Sequence, residues 1–224
     1  MFEIIIAILY ALLAVGTCIL MIKATNKRIE SGQPLEYIET EVQPYKLSSR
    51  AICMIIICIA LFSGFIGYWI SDCPILTLIK IGICYMAVLG AMIMDWKIRA
   101  IPNYIPLALF GLRLVILVYE LIFVDMALEQ FVSSVIGCAV VVLFLFIANR
   151  VSKGGIGAGD VKLLAGIGFM CDMYVVLTTL LLGLICCIII SMTLVAFKKI
   201  NMKAHVPFGP FIYMGFAAMC LLTL

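Results

Sequence analysis

Gly154-Gly-Ile-Gly-Ala-Gly-Asp-Val-Lys162 is the stretch on which the reading of this chain turns. Four glycines lead to one acid, Asp160, at the edge of an apolar run from Val161 to Met170. That run is short. Whether it crosses a bilayer decides the number of spans and the side on which every loop lies. Glycines permit backbone shapes and close approaches that a Cβ blocks. A carboxylate at a membrane border is costly, so it marks a candidate functional site. A second acid, Asp95, ends another apolar run and is followed by Trp-Lys-Ile-Arg-Ala-Ile-Pro-Asn.

Composition sets the frame. Of 224 residues, 66% are hydrophobic and 12% charged, where a soluble domain carries about 25% charged residues. So little charge cannot cover a soluble surface, and the expected class is an all-α, polytopic membrane protein. Nothing points to nucleic acid: the net charge is +3 and is spread over separate loops. The ten cysteines contain no Cys-x-x-Cys, and eight of them (Cys18, Cys53, Cys58, Cys84, Cys138, Cys186, Cys187 and Cys220) sit inside apolar runs. There they act as small hydrophobes, not as a disulfide framework or a zinc site. His205 is the single histidine, in a basic loop. No metal and no cofactor is expected.

Spans of about 20 apolar residues cross a bilayer. They are expected at residues 2–22, 51–70, 75–94, 105–124, 130–149, 174–197 and, shorter, 208–224. The first has no basic residues before it, so it reads as a retained span, not a cleaved signal. The loops 23–50, 95–104, 150–162 and 198–206 hold thirteen of the fifteen Lys and Arg residues. The opposite connections hold Asp72, Asp125, Glu129 and Asp172 and no Lys or Arg. Positive loops mark the cytoplasmic side. The alternation is consistent only if residues 161–173 also cross, which gives about eight transmembrane helices, one of them short. Such a crossing fits if it is buried among other helices or starts in a water-filled cavity. Asp95 and Asp160, about 65 residues apart, then share the cytoplasmic border. Residues 1–50 form an N-terminal anchor with a short, partly helical cytoplasmic loop, and residues 51–224 form the polytopic domain. Of the fifteen basic residues, Lys80 and Arg113 fall inside spans; Arg113 either snorkels or pairs with an acid.

Two carboxyl groups held close share a proton and titrate as a unit. The ionised member takes a proton from water and the protonated member donates to a carbonyl oxygen. The alternative for either acid alone is an ordinary interfacial polar residue, and Gly-x-Gly-Asp by itself is common. Lys97 and Arg99 read as topology determinants. Lys162, two residues after Asp160, adds positive potential near it.

At three places the chain resembles the type IV prepilin leader peptidases, integral-membrane aspartic proteases of the Gly-x-Gly-Asp class. Asp95 is followed seven residues later by Pro102 in Ile-Pro-Asn103. Gly154 to Ala165 is close to the family's signature around its second aspartate. Pro207-Phe-Gly-Pro-Phe211 is similar to the motif that opens its last helix. The resemblance covers roughly residues 85–215. It implies that Asp95 and Asp160 are the catalytic pair, and that Gly157, Gly159, Lys162, Pro102, Asn103, Pro207 and Gly209 shape the site. It also implies cleavage after a glycine in the basic leader of prepilins or pseudopilins, at the cytoplasmic face of a bacterial inner membrane. The partners are then those substrates and the lipid bilayer. Longer members carry a zinc-binding domain with two Cys-x-x-Cys pairs and also N-methylate the new N-terminus. The loop 23–50 has no cysteine, so the expectation is a peptidase without that domain, with methylation doubtful.

Other readings are weighed on residues. Presenilin-type proteases place Tyr before the first aspartate and Pro-Ala-Leu near the last helix; here Met94 precedes Asp95, and Pro207-Phe-Gly-Pro stands late. A proton-coupled transporter would show repeated halves and midplane sites, and neither is visible. A non-catalytic subunit of a pilus or secretion assembly would keep its function after Asp160→Asn.

Overall fold

The protein is described by a computed structural model covering residues 2–30, 49–69, 73–152, 155–197 and 206–223. Eight helices are seen among them: α1 (Phe2–Glu30), α2 (Ser49–Trp69), α3 (Ile75–Ile98), α4 (Tyr104–Phe123), α5 (Ala127–Val151), α6 (Ala158–Met170), α7 (Met173–Ala196) and α8 (Gly209–Thr223). The chain is an all-α membrane protein. Among the described residues, five helices (α1, α3, α4, α5 and α7) are long and apolar enough to cross a membrane by length and composition; α6 and α8 are shorter. Most of the loop 23–50, together with Asp72, Lys153, Gly154 and the basic loop up to His205, lies outside the described residues.

Helix ends differ from the sequence expectation in three informative places. α1 runs on past residue 22 to Glu30 because its last turns still have something to bury: Thr25 is fully buried and donates to Met94 Sδ at 2.8 Å. α3 carries Asp95 inside its last turn instead of ending at it. The stop comes at Arg99, which adopts a left-handed conformation (φ 49°) and returns its N–H to the Asp95 carbonyl at 2.9 Å; a left-handed residue closing the last turn is a standard helix stop. α6 spans 158–170, not 161–173, so Asp160 is in its first turn. Asp172, expected only as an acidic mark, caps α7 by accepting from Val175 N–H at 2.8 Å, as helix N-termini require.

The core is built where helices come closest. α1 packs on α2 and α3, α8 on α3 and α7, and α6 on α4, α5 and α7. Tyr85, fully buried on α3, shares a 2.7 Å hydroxyl–hydroxyl hydrogen bond with Tyr213 on α8, and Tyr10 on α1 donates to the Leu78 carbonyl at 2.9 Å. These bonds satisfy hydroxyls that would otherwise be stranded in an apolar interior. α7 and α8 touch backbone to backbone. A Cβ at Gly215 would lie 2.4 Å from the Thr179 carbonyl oxygen and 2.5 Å from the Gly183 nitrogen. Small residues let membrane helices approach in this way, and the contact holds α8 against α7.

Arg113 on α4 is fully buried and pairs with Glu120, two turns along the same helix, at 2.5 Å; Glu120 also pairs with Lys80 of α3. The two cations expected inside spans therefore meet one acid. Of the two possibilities for Arg113, the structure shows pairing. Glu120 was not foreseen in this role, although its seven-residue spacing from Arg113 puts both on one helix face.

Candidate active site

Three helix ends converge. Asp95 sits in the last turn of α3, Asp160 in the first turn of α6, and Gly209 opens α8. Both acids are buried, at 6% and 9% exposure. Asp95 is close enough to act on Asp160 through space. The local folding of each stretch explains the meeting. Gly157 caps α6 in an extended conformation, and its carbonyl accepts from the Asp160 N–H at 3.1 Å and the Val161 N–H at 3.3 Å. This turns the Asp160 side chain inward, where its Oδ1 is buried and, among the described residues, has no hydrogen-bond partner.

Asp95 is held differently. Its Oδ2 accepts the Gly209 N–H at 2.7 Å, a bond to a charged acceptor from the open end of a helix, where backbone donors are free. α8 can come this near because residue 209 has no side chain. A Cβ there would stand 2.8 Å from Asp95 Cβ and 2.9 Å from Oδ2. Arg99 adds a positive charge within electrostatic reach of Asp95.

The other expected site residues form the frame. Gly159 lies against the 99–103 loop: a Cβ on it would be 3.0 Å from Ile101 Cβ. Lys162 Nζ donates to Asn103 Oδ1 at 2.8 Å, so α6 is tied to the loop that follows Asp95. Pro102 is buried, and its carbonyl accepts from Ile105 N–H at 3.1 Å as α4 starts. Pro207 lies at the described edge, two residues before α8. Thus Lys162 and Asn103, expected as separate contributors, bond to each other on the exposed side.

Sequence reasoning missed two features. The Gly209 amide as a ligand of Asp95 is a backbone property that no side-chain pattern displays. Arg99 was read as a topology determinant, yet it closes α3 in a left-handed conformation just after Asp95 and its charge acts on that acid; a left-handed arginine has no sequence signature. Among the described residues, no group of three or more His, Cys, Asp or Glu side chains is placed to hold a metal ion. Chemically, the arrangement offers two buried carboxyl groups, one with a hydrogen-bonded oxygen and one with a free oxygen, at one end of a helical bundle.

The model of a family described as the type IV leader peptidase family matches residues 81–192, which includes both acids and the glycine stretch. No curated protein and no solved structure matches the chain.

Proposed function

The chain belongs to the type IV leader peptidase family, and from that premise we propose that it is a prepilin peptidase using Asp95 and Asp160 as an aspartate dyad. It cuts the short leader of a type IV prepilin or pseudopilin after a glycine, at the cytoplasmic face of a bacterial inner membrane. The observation that carries this reading is the convergence of α3, α6 and α8, which brings both buried acids within electrostatic reach of each other. The basic loops on the same side support the cytoplasmic placement.

The chemistry needs one proton on the pair. The ionised carboxylate takes a proton from water, and the water oxygen attacks the scissile carbonyl carbon. The protonated carboxyl group donates to the carbonyl oxygen, giving a neutral tetrahedral diol. When the diol collapses, the amide nitrogen takes a proton and the C–N bond breaks. The leader departs with a new carboxyl terminus, the membrane-held helix keeps a new amino terminus, and one proton remains on the pair. The Gly209 N–H favours the ionised form of Asp95, which suits Asp95 to the base role at the start of the cycle.

Co-expression with a prepilin, followed by gel shift and mass spectrometry of the product, tests the reading. Loss of the leader after its glycine, abolished by Asp95→Asn and by Asp160→Asn, is the expected result. An intact prepilin beside well-inserted protein would overturn it.

A further inference from the structure

α4 and α5 both pack on α6 but make little contact with each other. Between them lies a lateral groove of about 570 Å³, lined by Phe110 of α4, Phe169 of α6, and Val135, Ala139, Val142 and Phe146 of α5 among others. The α5 residues recur at three- and four-residue spacings, so they form one stripe along the helix. From Val135 to Phe146 that stripe is about 16 Å long at 1.5 Å per residue. The other face of α5 (Ser134, Gly137, Val141 and Leu145) is buried. The groove is open to one side, so it takes a helix lengthwise along one face. Its middle is small, at Cys138 and Ala139, and small residues are what a second membrane helix needs for close approach.

The groove has a direction. Phe146 lies under the Arg150 guanidinium at 5.2 Å, one turn nearer the site. Beside Arg150, Asn149 Oδ1 accepts the Ile156 N–H at 3.1 Å and so pins the glycine loop to the end of α5. The next residue, Gly157, caps the turn that carries Asp160. The apolar stripe thus ends at the loop that presents the buried acid.

We propose that this groove receives the apolar helix of the substrate, laying it along α5 so that the polar leader crosses the glycine loop to reach Asp95 and Asp160. The inference rests on the peptidase reading above, whose substrate is a helix anchored in the same bilayer. That continuity selects the occupant: a bond at the border can be cut only if the anchored helix ends within a few residues of the acids.

The experiment uses the full chain in liposomes with a membrane-anchored prepilin. A photocrosslinking residue at Val142 is expected to capture the prepilin helix, while the same residue at Leu181, exposed on α7, captures lipid only. Ala139→Phe, which fills the groove, is expected to raise KM for the anchored prepilin at least tenfold with kcat unchanged. It should leave cleavage of a leader peptide lacking the helix as in wild type. Crosslinks to lipid alone at Val142, or an unchanged KM in Ala139→Phe, overturn the groove assignment while wild-type cleavage stands. Absence of cleavage by wild type overturns the peptidase reading and the groove assignment with it.

Discussion

Replacing Gly209 with Ala should cripple catalysis while leaving the bundle folded. The added Cβ would lie 2.8 Å from Asp95 Cβ and 2.9 Å from Asp95 Oδ2, where carbon atoms rest at about 3.5–4.0 Å. Relief needs a shift of roughly 0.7 Å or more between α8 and the end of α3. The 2.7 Å bond from the Gly209 N–H to Asp95 is then stretched or lost, and a hydrogen bond to a charged group contributes about 1.5–3 kcal/mol. If that stabilisation serves the ionised base, the rate falls by roughly 10- to 150-fold. A misplacement near 1 Å is itself worth about 100-fold, so the expected loss in kcat is on the order of 100-fold. Initial rates of leader removal in liposomes across a range of prepilin concentrations measure it. Because the α5 groove is untouched, KM should stay near wild type. Melting in detergent should move by only a few degrees, since the clash is at a helix end. A kcat within threefold of wild type in folded Gly209→Ala protein would refute the claim that the α8 amide holds Asp95.

Three further outcomes follow from the same geometry. Glu120→Ala leaves Arg113 and Lys80 without their shared counter-ion, and breaking a buried pair costs about 3–5 kcal/mol; thermal unfolding in detergent should show a clear drop in Tm, whereas an unchanged Tm would mean that the cluster is solvated. Gly215→Val places side-chain atoms where the Thr179 carbonyl and the Gly183 backbone already stand, so α8 must separate from α7; both stability and cleavage should be lost, and retention of either would contradict the backbone contact. Cleavage should follow a bell-shaped pH profile, because at low pH both acids are protonated and no base remains, and at high pH both are ionised and no acid remains; a rate that only rises with pH would exclude a shared proton.

The apolar spans were legible because composition and length fix them with little help from tertiary contacts. The expected α3, α4, α5 and α7 match the observed helices to within a few residues. The ends were harder, for reasons that lie outside local sequence. α1 continues to Glu30 because Thr25 finds Met94, a contact 69 residues away in the chain. Asp95 falls inside α3 because Arg99 turns left-handed four residues later, and nothing about an arginine announces that conformation. The spacing of Asp95 from Pro102 and the Gly-x-Gly-Asp stretch named the two acids from sequence. The third wall of the site is the start of α8, where Gly209 was named from the Pro207-Phe-Gly-Pro stretch; that its backbone N–H is the group that binds Asp95 is set by packing and is not written in residue types. Arg113 with Glu120 was readable at seven-residue spacing, but Lys80 joins them from another helix and only packing reveals that.

The most direct test of the central claim is the rate of leader removal by purified protein in liposomes, measured for wild type, Asp95→Asn, Asp160→Asn and the double variant. Acid–base groups each contribute about 100- to 10,000-fold, and groups that act as a unit are non-additive. Each single variant should therefore fall by on the order of 1,000-fold or more, with the double variant no slower than the worse single. A single variant that keeps a tenth of the wild-type rate, or a double variant whose loss is the product of the two, would contradict a dyad formed by Asp95 and Asp160.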